Sequence, residues 1–352
     1  MLDDVDLDLV AALQVAPRAS AAALADVLGL SASTVGRRLL RLEEQRILRV
    51  IGQLDWSARA EGNPRHVWVT TAPGASGQVA TALAELPEAQ LVAETTGRAD
   101  VYCAVHPADR EQAHELLSAR LPSVPGVVST HSELVLRALT KADSWRLHRL
   151  GDDQVKALEA TAEPERGQPA APPAGRERAV ASPAGRERGA SRAAPTAPAV
   201  LGEEEHGALR LLRGNGRITA AQAARALGIS QSTAYRLIQS LLRRGVVRPR
   251  VEVEPALLGY SLEAIIALRT APGAIQPVAE ELAGHPSARY VSIVAGTTSV
   301  IHQGVFRHED DLGDFLTRDL AHLPGITALD VSVVLRMLRR YWIRREDGHL
   351  LG

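Results

Sequence analysis

The chain of 352 residues has a single cysteine, Cys103, which excludes an intrachain disulfide framework and a cysteine-rich zinc site. Cys103 sits in the apolar run VYCAV and reads as a small buried strand residue. No apolar run reaches the ~18 residues that a membrane helix needs. The opening stretch MLDDVDLDLV is acidic rather than basic and does not read as a signal peptide. The formal net charge is only −1, which argues against a uniformly basic nucleic-acid binder but leaves room for a local basic face. Between residues 162 and 200 there is no Ile, Leu, Phe, Tyr, Trp or Met, and PAGRER occurs twice. Without large apolar side chains nothing offsets the entropy of ordering that stretch, so a disordered Pro/Ala/Arg linker is expected there. The histidines form no recognisable catalytic or metal-binding constellation. No cofactor, metal or membrane partner is expected, and the expected location is cytoplasmic and nucleoid-associated.

What is present is a repeat. TAPGA at residues 71–75 recurs at 270–274, and the same offset of 199 carries Leu28, Gly29, Ser31, Ser33, Thr34 and Arg37 onto Leu227, Gly228, Ser230, Ser232, Thr233 and Arg236. It also carries Pro125–Gly126 onto Pro324–Gly325. One offset holds from about residue 2 to about residue 145, so a whole unit is duplicated, and it is far longer than a solenoid repeat.

Each unit opens with three helices. Val5, Leu9, Ala12 and Leu13 follow helical spacing. Ser20 and Thr219 are N-cap candidates for short helices closed by Gly29 and Gly228, and Ser31 and Ser230 open the next helix. Two short helices joined this way are a helix-turn-helix, with Ala25 and Ala224 small where the helices cross. Val35, Leu39 and Leu42 form the inward stripe in the first copy, and Ala234, Ile238 and Leu241 in the second. The outward stripe carries Ser33, Thr34, Arg37, Arg38 and Arg41, then Gln231, Ser232, Tyr235, Arg236 and Arg243. These side chains can reach base edges and phosphates from a helix in the major groove. Residues 18–54 hold six Arg against three acids, and residues 217–251 hold seven Arg and no acid. A β-like run follows each helix and is expected to form a wing that touches the DNA backbone through Arg49, Arg248 or Arg250.

The second part of each unit reads strand, helix, strand, strand, helix, strand, the ferredoxin-like order. The expected fold class is therefore α+β: a winged helix-turn-helix plus a ferredoxin-like α/β sandwich, the pair duplicated. The expected boundaries are 1–55 and 64–145 for the first pair, 162–200 for the linker, and 201–255 and 260–346 for the second pair. A sheet with both helices on one face leaves its other face to be covered, and the second unit's sheet is the obvious cover.

The order of LDDVDLDLVAAL, LGLSASTVGRRLLRLEEQRIL, TGRADV, EVEPALLGY and LPGI resembles the Lrp/AsnC (feast/famine) family of transcription regulators, here as two fused units. The resemblance implies double-stranded DNA as partner, an amino acid or related small effector, and homo-oligomers formed through the ferredoxin-like domains. It places an effector site near the Gly-x-x-Asp loop, at Gly97 and Asp100, with Gly296 the counterpart in the second copy. There Ser299 replaces the aspartate. Two alternatives remain. One is an architectural DNA-organising protein without an effector. The other is an enzyme resembling the siroheme decarboxylases, for which Arg65, His66 and Trp68 are the suggestive residues.

Overall fold

The computed structural model describes residues 2–54, 63–140, 145–162, 201–346 and 348–351. The expected linker lies almost wholly outside the described residues. Unit one runs α1 (Asp4–Val15), α2 (Ala21–Leu28), α3 (Ala32–Glu44), β1 (Leu48–Leu54), β2 (Arg65–Thr71), α4 (Ser76–Ala84), β3 (Ala89–Thr95), β4 (Val101–Val105), α5 (Arg110–Glu115), β5 (Val127–Thr140) and α6 (Asp152–Ala162). Unit two runs α7 (Glu203–Gly214), α8 (Ala220–Leu227), α9 (Gln231–Arg243), β6 (Val247–Val253), β7 (Leu262–Thr270), α10 (Ile275–Gly284), β8 (Ala288–Ala295), β9 (Val300–Phe306), α11 (Glu309–Asp314), β10 (Ile326–Arg340), β11 (Ile343–Glu346) and β12 (His349–Leu350).

The helix signals work locally as the sequence suggests. Ser20, Ser31, Thr219 and Ser230 each accept a backbone N–H from the first turn of their helix. Gly29 and Gly228 end α2 and α8 at φ 66° and 67°, a left-handed backbone that favours glycine. Val35, Leu39 and Leu42 are buried, as are Ala234, Ile238 and Leu241. Helix α6 docks against α1 and α2, with Leu158 fully buried and Gln154 donating to the Val27 carbonyl.

The ferredoxin-like strands do more than face one another. Within a unit the order is β3-β4-β2-β5 or β8-β9-β7-β10. The last strand of each unit is long and changes partner halfway. Residues 127–134 of β5 pair with β2, and residues 134–140 pair with β8 of the other unit. Residues 326–333 of β10 pair with β7, and residues 334–340 pair with β3. The eight strands therefore close into a ring. Its interior is filled by Trp68, Leu91, Ala93, Tyr102, Val135, Ile265, Ala267, Val294 and Ile301 from both units. Helices α4 and α10 cover the outer faces over separate cores. The inner sheet face that would otherwise seek a second chain is covered within this one.

The strand after each recognition helix corrects the wing expectation. Strands β1 and β6 form no hairpin of their own; they pair antiparallel with each other, with Ile51 opposite Arg250. Because Ile51 and Arg250 stand 199 apart, a pseudo-twofold axis passes between them. The ribbon serves both helical domains. Val251 and Val253 pack into the core of the first, and Leu54 packs into the core of the second. A strand that reads as β-branched and amphipathic gives no sign of which partner it takes, which is why local pattern alone misassigned it.

Candidate functional site

The pseudo-twofold is exact enough to follow side chain by side chain between the helical domains. Arg18 donates to the carbonyls of Gly216 and Ile218, and Arg217 donates to those of Pro17 and Ala19. Such reciprocal contacts are the mark of an isologous interface, achieved here within one polypeptide. The two recognition helices α3 and α9 are thereby held in a fixed twofold relation.

At the start of each recognition helix a small hydroxyl cluster repeats. Ser31 Oγ bonds Ser33 Oγ and Thr34 Oγ1 at 2.9 Å, and Ser230 Oγ does the same with Ser232 and Thr233. Ser33, Gln231 and Ser232 are exposed, while Thr34 is half-buried. Arg37 is exposed and makes no hydrogen bond or ion pair among the described residues. Tyr235 is 57% exposed, and Arg236 and Arg243 are exposed and touch only their own helix, at Thr233 and the Gln239 carbonyl.

Two of the expected DNA contacts are otherwise engaged. Arg38 pairs with Asp3 and Asp6 at 2.7 Å, and Arg41 pairs with Asp6 at 2.6 Å. Asp6 is buried on α1, so its bonds to Arg38 and Arg41 are partly shielded from water, while the Arg38–Asp3 bond is exposed. The Asp3 carboxyl is held below its ordinary range by the Arg38 guanidinium and the Asp6 backbone N–H. Arg38 and Arg41 thus fasten α3 to α1. Sequence reasoning missed this because acids thirty residues away carry no periodic signal. The wing arginines are similarly occupied: Arg49 donates to the Leu351 and Gly214 carbonyls, and Arg250 is buried beside Glu252 at 3.0 Å. Arg248 is exposed on the ribbon and lines a cleft between the units.

The Gly-x-x-Asp loops lie at the seam between units. A Cβ on Gly97 would stand 2.5 Å from the Val331 carbonyl oxygen, and one on Gly296 would stand 2.5 Å from Glu133 Cγ. Each glycine is therefore needed for close approach to the other unit's long strand. Asp100 Oδ2 accepts from Thr71 N at 2.7 Å and from Thr71 Oγ1 at 3.2 Å. Ser299 Oγ makes the equivalent bond to Thr270 N at 3.4 Å. The same tie recurs in both copies, made by an aspartate in one and a serine in the other. Burial opposes ionisation of Glu133, but bonds from Thr298 and Thr297 and the charge of Arg98 overcome it and hold its carboxyl below the usual range.

His66 is buried on the inner sheet face. Its Nδ1 is bonded by Tyr102 OH, which itself accepts from Gln303 Nε2 at 2.9 Å, and its Nε2 lies 3.1 Å from Ser292 Oγ. Burial pushes its pKa down to about 4, so the ring is neutral. Trp68 packs beside Tyr102 at 4.7 Å inside the ring. Cys103 is fully buried, and burial pushes its thiol up to about 12, which leaves it unreactive.

Comparison with known proteins agrees with this geometry. An AsnC-type helix-turn-helix model matches residues 2–43, and a model of the Lrp/AsnC ligand binding domain matches twice, at 66–145 and 263–341. An IclR helix-turn-helix model matches 208–250. The chain is similar to an uncharacterised HTH-type transcriptional regulator of Pyrococcus abyssi, 29% identical over 144 residues, covering 41% of this chain and 91% of that one. It is also similar to the HTH-type transcriptional regulator LrpA of Pyrococcus horikoshii, 25% identical, covering 37% of this chain and 94% of the relative. Over nearly its whole length it has the fold of the siroheme decarboxylase NirDL, with a TM-score of 0.58 at 13% identity, covering 97% of this chain and 93% of that structure.

Proposed function

The chain belongs to the Lrp/AsnC family, as a tandem duplication of the two-domain unit, and we propose that it acts as a sequence-specific DNA-binding transcription regulator modulated by a small effector. One polypeptide supplies both reading heads of a pseudo-dimer. The observation that carries this reading is the twofold-related pair of recognition helices, each with exposed, base-reaching side chains near its start. Ser33 and Arg37, with half-buried Thr34 beside them, serve the first helix; Gln231, Ser232, Tyr235 and Arg236 serve the second, with Arg243 at its far end. Arginine bonds guanine bidentately, and Ser, Thr and Gln reach base edges or phosphates.

Because the two helices present different residues, the operator is an imperfect palindrome. Its half-sites lie one helical turn, or a multiple of it, apart. Selection from a random duplex library, followed by footprinting, tests this. A bipartite, asymmetric footprint is expected; no binding to any duplex at low ionic strength would end the proposal. The likeness to NirDL is one of fold alone, and the proposed role is non-enzymatic.

A further inference from the structure

The pseudo-twofold relates two positions where the ribbon meets the ring, and the duplication has treated them differently. On one side Glu252, Glu263 and Arg289 come from unit two. Arg340 pairs there with Glu263, while Arg345 and Arg250 pair with Glu252. Glu252, Arg289, Arg340 and Arg345 are each at most 6% exposed, so this position is filled by a buried ion cluster. On the other side the counterparts of Glu252, Glu263 and Arg289 are Gln53, Pro64 and Gln90. The charges at these three positions are gone, and a wider cleft stands there than beside the ion cluster.

The lining of the open cleft specifies a ligand. Among the described residues its ionisable groups are two arginines, Arg248 and Arg340, two histidines, His66 and His106, and two tyrosines, and none of these residues is a carboxylate. Arg340 is 4% exposed, and its Nη1 has no hydrogen-bond partner among the described residues although its Nη2 is held by Glu263. A buried donor left unmade is costly, and an incoming anion would satisfy it. Leu54, Pro64, Leu91, Tyr290 and Tyr341 supply apolar and aromatic walls. His66, neutral and with both nitrogens bonded, forms a fixed, uncharged wall.

We propose that this cleft is an effector site for a small organic carboxylate with an apolar or aromatic body and no ammonium group. The anion meets Arg340 and Arg248. An amino acid's ammonium would face these two cations with no carboxylate among the described lining residues to receive it, which disfavours a zwitterion. The site also explains how occupancy reaches DNA. Gln53, Leu54 and Arg248 belong to the ribbon, and Leu54 is at the same time part of the second helical domain's core. A Cβ on Gly52 would stand 2.6 Å from the Leu212 carbonyl of α7, so the ribbon packs closely against that domain. This regulatory consequence rests on the DNA-binding reading above; the binding site itself does not.

Titration calorimetry on the full chain with phenylpyruvate, benzoate, 2-oxoglutarate and phenylalanine tests the site without DNA. Phenylpyruvate is expected to bind at least about tenfold more tightly than phenylalanine, a difference of about 1.4 kcal/mol. The double variant Pro64→Glu with Gln90→Arg copies two of the three differing residues of the filled position into the open one, using residues the fold already accommodates at the twofold mate. It should abolish binding while keeping the thermal transition of the parent. Arg340→Gln should weaken carboxylate binding at least about tenfold. No heat with any of the three carboxylates at millimolar concentration, equal affinity for phenylpyruvate and phenylalanine, or unchanged binding in the double variant would each overturn the proposal. DNA affinity of the same samples, followed by anisotropy with and without phenylpyruvate, separates the two ideas. A chain that binds DNA but no carboxylate loses only the effector site, and one that binds phenylpyruvate but no duplex loses only the DNA reading.

Discussion

Helices α3 and α9 occupy pseudo-equivalent positions, yet their arginines are in different circumstances. On α3, Arg38 and Arg41 are fastened to Asp3 and Asp6, and Arg37 is left to face outward alone. On α9 the counterparts of Arg38 and Arg41 are Leu237 and Ser240, and the exposed set is Tyr235, Arg236 and Arg243. Positions that match across the two copies, such as Ser31 with Ser230 or Gly29 with Gly228, build the fold. Positions that differ between the copies are where one half has taken on a task the other lacks. The ion cluster and the open cleft repeat the lesson at the ribbon.

The comparison is broken most strongly at Glu252. Replacing it with Ala takes the shared carboxylate from buried Arg250 and leaves Arg345 with Glu254 alone, and should cost about 3 kcal/mol of stability. The same change at its counterpart Gln53 should cost less than about 1 kcal/mol, since Gln53 is only partly buried and bonds Arg250 at its edge. Urea unfolding of the two variants measures the contrast.

A second contrast concerns acid. Each unit has a buried neutral histidine that its counterpart position lacks: His66, opposite Ile265, and His302, opposite Cys103. Burial lowers their pKa values to about 4 and about 3. Below the unfolded value near 6.5, the unfolded chain takes up protons that the folded chain refuses. The stabilising effect of neutrality is thus complete above pH ~6.5 and declines as pH falls toward the folded values. Between pH 7 and pH 5 each histidine should withdraw about 2 kcal/mol. In His302→Phe, roughly half of that slope should vanish from unfolding free energies measured at a series of pH values.

The smallest expected effects sharpen the helix comparison. Arg37→Ala and Arg236→Ala should each cost ~1–3 kcal/mol of DNA affinity if each bonds a base. Arg38→Ala should leave DNA affinity within about 0.5 kcal/mol of wild type while destabilising the first helical domain. Fluorescence anisotropy beside thermal unfolding distinguishes the two kinds of loss. A large affinity loss in Arg38→Ala with stability intact would show that the Asp3–Asp6 clamp opens on DNA.

Much of this architecture was legible in the sequence, because it is written in short-range chemistry. N-cap hydroxyls, left-handed glycines and the spacing of Val35, Leu39 and Leu42 act within one or two turns of chain. The alternation of apolar residues located the strands. What escaped was everything decided by a distant partner. The pairing of β1 with β6, the exchange of β5 and β10 between sheets, and the docking of α6 depend on residues a hundred or more positions apart. Strands β11 and β12 were equally silent; Leu350 N bonds the Arg46 carbonyl, tying them to the first helical domain. The open cleft did have a signal, in the replacement of Glu252, Glu263 and Arg289 by Gln53, Pro64 and Gln90. It is visible only when the two copies are laid against each other and their differences, rather than their identities, are read.

The closed ring of strands has a last consequence. In a regulator assembled from separate subunits, dilution frees monomers, and related proteins in the same cell can swap into mixed pairs. Here the exchanging strands already belong to one molecule, so the pairing of the two units is intramolecular and its equilibrium does not depend on abundance. The two halves of one chain are as fully paired in a handful of copies as in a thousand.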